Sequence, residues 1–102
     1  MTIDTCLNLI LPAGLEEAVG DLLLSHPELS FSFASFPVEA HGTDVPLSGL
    51  VELVSGHAAR VQMELLLSQE DAVAVLGYLR QALPNPAVFY WVSPVMAAGR
   101  LG

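Results

Sequence analysis

Polar and apolar positions alternate, then recur at helical spacing, then alternate again, and this cycle runs twice along the chain. Over residues 2–11, Ile3, Leu7 and Leu9 share one parity and Asp4, Cys6 and Asn8 the other, which predicts a half-buried strand. Pro12 and Gly14 supply a turn. The period changes over 15–26, where Leu15, Ala18, Val19, Leu22 and Leu23 fall on one helical stripe. Glu16 and Glu17 lie in its first turn, where the helix dipole favours carboxylates, and Pro27 forces its end. A second strand over 30–41 has Phe31 and Phe33 on one parity. Pro37 removes a ladder donor from it, which points to an edge strand or a bulge.

After a connection over 42–59 the unit returns. Val61, Met63, Leu65 and Leu67 alternate with Arg60, Gln62 and Glu64 over 60–67. Residues 68–83 predict a second helix, with Ser68 as N-cap and Asp71 at capping-box spacing. Its buried stripe is Ala72, Val75, Leu76, Leu79 and Leu83. Pro84 and Pro86 bracket a turn, and the last strand covers 88–95. Strand–helix–strand twice over is the α+β, ferredoxin-like βαββαβ order: a four-stranded antiparallel sheet with two helices on one face. A chain of 102 residues is expected to form one such domain over 1–102.

That architecture raises a question of cover. Two helices shield one face of the sheet, yet the last strand is apolar on both parities: Phe89 and Trp91 one way, Val88, Tyr90 and Val92 the other. Hydrophobic residues make up 53% of the chain, a surplus that a buried subunit interface accommodates. The opposite parity of the other strands is mixed, with Cys6, Asn8, Gln62 and Glu64.

Charge narrows the partners. There is no lysine, and Arg60, Arg80 and Arg100 face eleven carboxylates, for a net charge of −8. This excludes nucleic acid and anionic membranes as natural partners. It suits a cationic ligand or a basic partner surface, and equally plain solubility. Cys6 is the only cysteine, so no internal disulfide forms. Its strand position suits a small buried hydrophobe. Residues 1–4 carry no basic segment and no apolar run approaches the ~18 residues of a membrane span, so a cytoplasmic protein without membrane insertion is expected.

Little in the chain reads as chemistry. No phosphate-binding glycine motif, zinc motif or nucleophile–base set occurs, and no enzyme is expected. The connection over 42–59 is long for a structureless loop, and loops of that length are commonly functional. A short helix over 48–55 is expected inside it, capped by Ser48 and ended by Gly56. If the flanking strands pair as a hairpin, His41 and His57 approach each other. With Asp44 or Glu39 they form a ligand set for a divalent transition metal. The alternative is a dimeric ferredoxin-like enzyme, a small monooxygenase or isomerase, with Asn8 or Tyr90 lining a cavity between sheet and helices. A ligand-free structural adaptor is a third reading.

Several short segments carry a family likeness. They are Leu-Pro-x-x-Leu-Glu-Glu at 11–17, Phe-Pro-Val-x-x-His-Gly at 36–42, Arg-Val-Gln at 60–62, Ala-Leu-Pro at 82–84, Tyr-Trp-Val at 90–92 and Gly-Arg-Leu at 99–101. Together they resemble the PII-like proteins, and within these a small proteobacterial family of unknown function associated with heavy-metal efflux systems. The resemblance covers most of the chain. It implies a non-enzymatic regulator, a homotrimer packed through its sheets, with 42–59 in the place of the T-loop. That loop docks on a membrane transporter or its accessory protein, here through Leu47, Leu50 and Glu52. Ligands of such proteins bind in clefts between subunits beside the loop, within reach of cations such as Arg60 and Arg100. Nucleotide-binding relatives have a glycine-rich, lysine-bearing loop where this chain has Pro84-Asn85-Pro86-Ala87. A triphosphate needs cations or backbone donors, so a divalent metal at His41, Asp44 and His57 is expected in preference to a nucleotide.

Overall fold

The two segments with the strictest alternation lie side by side at the centre of the sheet. The computed structural model describes residues 2–25, 32–42 and 58–102. Its elements are β1 (Thr5–Pro12), a 3₁₀ turn (Ala13–Leu15), α1 (Glu16–Leu24), β2 (Phe33–Ala40), β3 (Ala58–Leu67), α2 (Gln69–Ala82) and β4 (Phe89–Pro94). The four strands are antiparallel in the order β2-β3-β1-β4, the expected ferredoxin-like arrangement.

Register explains the core. Leu7 pairs with Leu65, Leu9 with Met63 and Leu11 with Val61, so one parity of β1 meets one parity of β3 across the ladder. All six side chains are at most 5% exposed. Val19 and Leu23 from α1, and Ala72 and Val75 from α2, close over them, with Leu15, Phe33, Leu76, Leu79, Leu83 and Val88 packed around the margin. Both helices thus bury apolar residues on the same face of the sheet, while Ala18, expected on the stripe of α1, is exposed because it sits at the stripe's solvent edge.

The ends of the elements differ from expectation for local reasons. Pro12 is the last residue of β1, and the chain reverses in the 3₁₀ turn after it. The first helix runs to Leu24, short of the expected 26, with Ser25 as its C-cap: the Ser25 N–H donates to the Asp21 carbonyl and its hydroxyl to the Leu22 carbonyl, both at 3.0 Å. β2 is an edge strand, and its pairing with β3 runs unbroken from Phe33–Leu65 to Ala40–Ala58. Pro37 therefore makes no bulge; an edge strand directs alternate N–H groups to solvent and tolerates proline there. The Ser35 hydroxyl donates to the Glu16 carboxylate at 2.9 Å, which fastens this edge to α1.

The second helix starts as its sequence requires. Ser68 Oγ accepts from the Asp71 N–H at 3.1 Å. A further first-turn donor, the Gln69 N–H, is met by Asp4 Oδ1 at 3.1 Å. Asp4 also accepts from the Thr5 hydroxyl at 2.9 Å, and its carbonyl accepts from the Val95 N–H at 2.9 Å. One residue thus ties the start of β1 to α2 and to the exit of β4. Sequence spacing gave no sign of this clip, whose partner lies 65 positions away.

Core position should decide the cost of truncation. Leu9→Ala is expected to lower unfolding free energy by about 2–5 kcal/mol in urea melts. Val73→Ala, on the solvent side of α2, should stay within about 0.5 kcal/mol of the parent.

Candidate functional site

Side chains alternate along a strand, so the parity that does not enter the core forms a second, helix-free face. Register sets it out in rows. Ala34, Glu64, Asn8 and Trp91 lie across one row; Phe36, Gln62, Ile10 and Phe89 across the next. Leu66, Cys6 and Ser93 flank them on one side, and Val38, Arg60 and Pro12 on the other. Phe89, Leu66, Phe36 and Trp91 remain 65, 44, 39 and 38% exposed. The Phe89 and Trp91 rings lie 6.3 Å apart. Apolar side chains thus occur on all four strands of this face, as the two-sided β4 predicted.

Asn8 belongs to this face. It is buried, with its side-chain amide 3.5 Å from the Cys6 carbonyl, and lies across the sheet from the core. The enzyme reading placed it in a cavity between sheet and helices; its parity in β1 puts it on the wrong side. Cys6 is half-buried. Burial pushes its thiol pKa up, and the Glu64 charge adds to this, while hydrogen bonds from Asn8 and Ser93 pull the other way. It is a protonated, weakly reactive thiol at neutral pH.

The predicted metal set is only partly within view. His41 follows β2 and is exposed, its Nε2 3.8 Å from Glu39 Oε2. Gly42, the next residue, has φ 132°, a conformation that side chains disfavour. Ala40 and Ala58 are register partners, so the connection leaves and re-enters the sheet at one paired point. Asp44 and His57, the docking positions Leu47, Leu50 and Glu52, and the expected helix over 48–55 lie outside the described residues, as does His26. Among the described residues, no group of three His, Cys, Asp or Glu side chains is placed to hold a metal.

The two arginines expected at a ligand occupy different settings. Arg60 is buried at the end of the helix-free face, with Nη1 donating to the Ala59 carbonyl at 3.1 Å. Arg100 is exposed in the segment after β4. The third, Arg80, lies near the end of α2. It donates from Nη2 to the Tyr90 hydroxyl at 2.9 Å, and its guanidinium carbon lies 5.5 Å from the centre of that ring. Nothing in the spacing marks this pair; only the packing of α2 beside β4 brings it together.

The turn between α2 and β4 takes up part of its own hydrogen-bonding capacity. Asn85 Oδ1 accepts from the Ala87 N–H at 2.9 Å, and the Asn85 carbonyl accepts from the Val88 N–H at 3.0 Å. Pro84 and Pro86 have no N–H. A phosphate would find little here to bind it.

Strand order, register and one-sided helices fix the fold, and comparison then places the chain. It belongs to the DUF3240 family, proteins of unknown function, with residues 1–102 matched. No curated protein matches it. It is similar to the crystal structure of a DUF3240 family protein from Shewanella baltica OS155, at 19% identity and a TM-score of 0.76 over 100% of both chains. It is also similar to CPII, a nitrogen regulatory PII-like protein from Thiomonas intermedia K12. The form bound to ADP, AMP and bicarbonate matches at 15% identity and a TM-score of 0.60, over 98% of both chains. The form bound to ADP, AMP and acetate matches at 15% identity and 0.64, over 95% of this chain and 89% of that one. At these identities the likeness establishes that this DUF3240 member has the PII-like fold. No helix among its described residues is long and apolar enough to cross a membrane.

The Cys6 environment has a measurable signature. Because folding raises the thiol pKa, the unfolded chain gives up its proton first. Stability from this group is full below the ordinary thiol pKa and falls as pH climbs through the raised one. At pH 8 iodoacetamide should therefore alkylate Cys6 more slowly than free cysteine, and Glu64→Gln should recover part of the difference. A rate equal to that of free cysteine in the folded protein would contradict the assignment.

Proposed function

We propose that this protein is a non-enzymatic, PII-like regulator that assembles as a homotrimer through its helix-free sheet face and acts in the cytoplasm. It senses a divalent transition metal at His41, Asp44 and His57 and modulates a membrane transporter, such as a heavy-metal efflux system. The segment between β2 and β3 serves as the docking loop, with Leu47, Leu50 and Glu52 against the partner. A fold shared with the PII-like CPII over nearly the whole of both chains is the observation that carries this reading.

Three features support the details. Aromatic and aliphatic side chains across the helix-free face suit burial against further copies of the chain. Paired Ala40 and Ala58 root the loop at one point, where His41 and Glu39 already lie together. CPII is bound to ADP and AMP, whereas the turn at 84–87 here lacks glycine and cation and has two prolines without an N–H, which favours a metal over a nucleotide. A metal can reshape the loop only through unequal affinity for its two states. Imidazole and carboxylate ligands supply that when they converge in one state alone.

Native mass spectrometry of the purified protein, titrated with copper, zinc, cobalt and ATP, tests the sensing. The expected result is an integral number of metal ions per assembly, lost in the His41→Ala/His57→Ala double variant, with no ATP adduct. Binding of ATP without metal, or metal binding indifferent to both histidines, would overturn it.

A further inference from the structure

Beside α2, on the opposite side of the sheet from the helix-free face, lies a cleft of about 190 Å³ that the regulator reading leaves unused. Leu9 forms part of its lining with Leu76, Leu79, Leu83 and Val88, and Arg80 and Tyr90 join this lining. β4 is an edge strand, so no further strand covers it, and the chain leaves α2 through two prolines instead of continuing the helix over it.

Its chemistry has two parts. The whole cleft, open to solvent, is somewhat larger than the closed cavity of about 150 Å³, lined by similar apolar residues, that takes up benzene. It therefore suits a body of one ring or a short branched chain. The polar part is a cation without a counter-charge. Eleven carboxylates outnumber three arginines in this chain, yet the hydrogen-bond partner of Arg80 is a neutral phenol, and among the described residues no carboxylate pairs with it. The Tyr90 oxygen accepts from Arg80, which leaves its own proton to donate, and the guanidinium retains further N–H groups. Two donors thus stand together beside an apolar slot that has no acidic residue in its lining.

We infer that this cleft binds a small carboxylate with an apolar body, its ring or chain against Leu76, Leu79 and Val88 and its carboxylate on Arg80 and Tyr90. A bare inorganic anion would leave the apolar walls unused, and a hydrocarbon would leave the arginine unused. The site shares no residue with His41, Asp44 or His57 and stands independently of metal sensing.

The test is a ¹H–¹⁵N NMR titration of the full chain with phenylacetate and with its neutral isostere phenylacetamide. Saturable shifts are expected for amides of 76–90 with phenylacetate. Arg80→Gln, an exposed change that preserves helix propensity, should weaken phenylacetate about 10-fold or more while moving phenylacetamide by about 2-fold at most. Tyr90→Phe should weaken phenylacetate by a smaller factor. Unchanged circular dichroism of both variants excludes misfolding as the cause. Shifts that do not saturate by about 10 mM, shifts confined to other regions, or equal loss of both compounds in Arg80→Gln would overturn the assignment.

Discussion

A four-stranded sheet has two faces, and this chain provides helices for one of them. Everything else follows from that asymmetry. The β1–β3 ladder places Leu7, Leu9 and Leu11 against Leu65, Met63 and Val61, and both helices close over that row. The opposite parity of the same strands is then committed to the other face, and it carries Ile10, Leu66, Phe36, Phe89 and Trp91 beside Asn8, Gln62 and Glu64. A face of this composition is too apolar to resemble ordinary surface and too polar for a core. Exposed aromatic and aliphatic groups on one contiguous face are what an interface would cover.

Much of the fold was legible because its elements have strong periods. Alternation in β1 and β3, the stripes of α1 and α2, and the cap at Ser68 each predicted what the structure contains, within a few residues. Pro37 announced the edge position of β2 correctly, but the bulge it also suggested is absent, since an edge strand needs no distortion to hold a proline. The end of α1 ahead of Pro27 agrees with the proline's effect on the residue before it. Contacts made by packing were invisible: the Asp4 clip on α2 and the Arg80–Tyr90 pair each depend on residues brought together only by the fold.

The site was less legible than the fold for a physical reason. Metal ligation is specified by convergence of side chains, and His41, Asp44 and His57 match no fixed-spacing motif, so their convergence depends on a loop path that no local rule dictates. Parity, by contrast, is a strict rule, and it disposed of Asn8 as a cavity residue at once. The turn at 84–87 occupies the middle ground. Its composition argues against phosphate, since two of its residues are prolines without an N–H, and Asn85 takes up the Ala87 and Val88 N–H groups.

If the helix-free face is what holds the assembly together, a charge at its centre should dissolve the assembly and spare the fold. Ile10 lies there, between Gln62 and Phe89 across the ladders. Sedimentation equilibrium of the parent and of Ile10→Glu is therefore the most direct test. The expected result is a trimer for the parent and a monomer with unchanged circular dichroism for the variant. A parent that sediments as a monomer or dimer, or a variant that remains trimeric, would contradict the account.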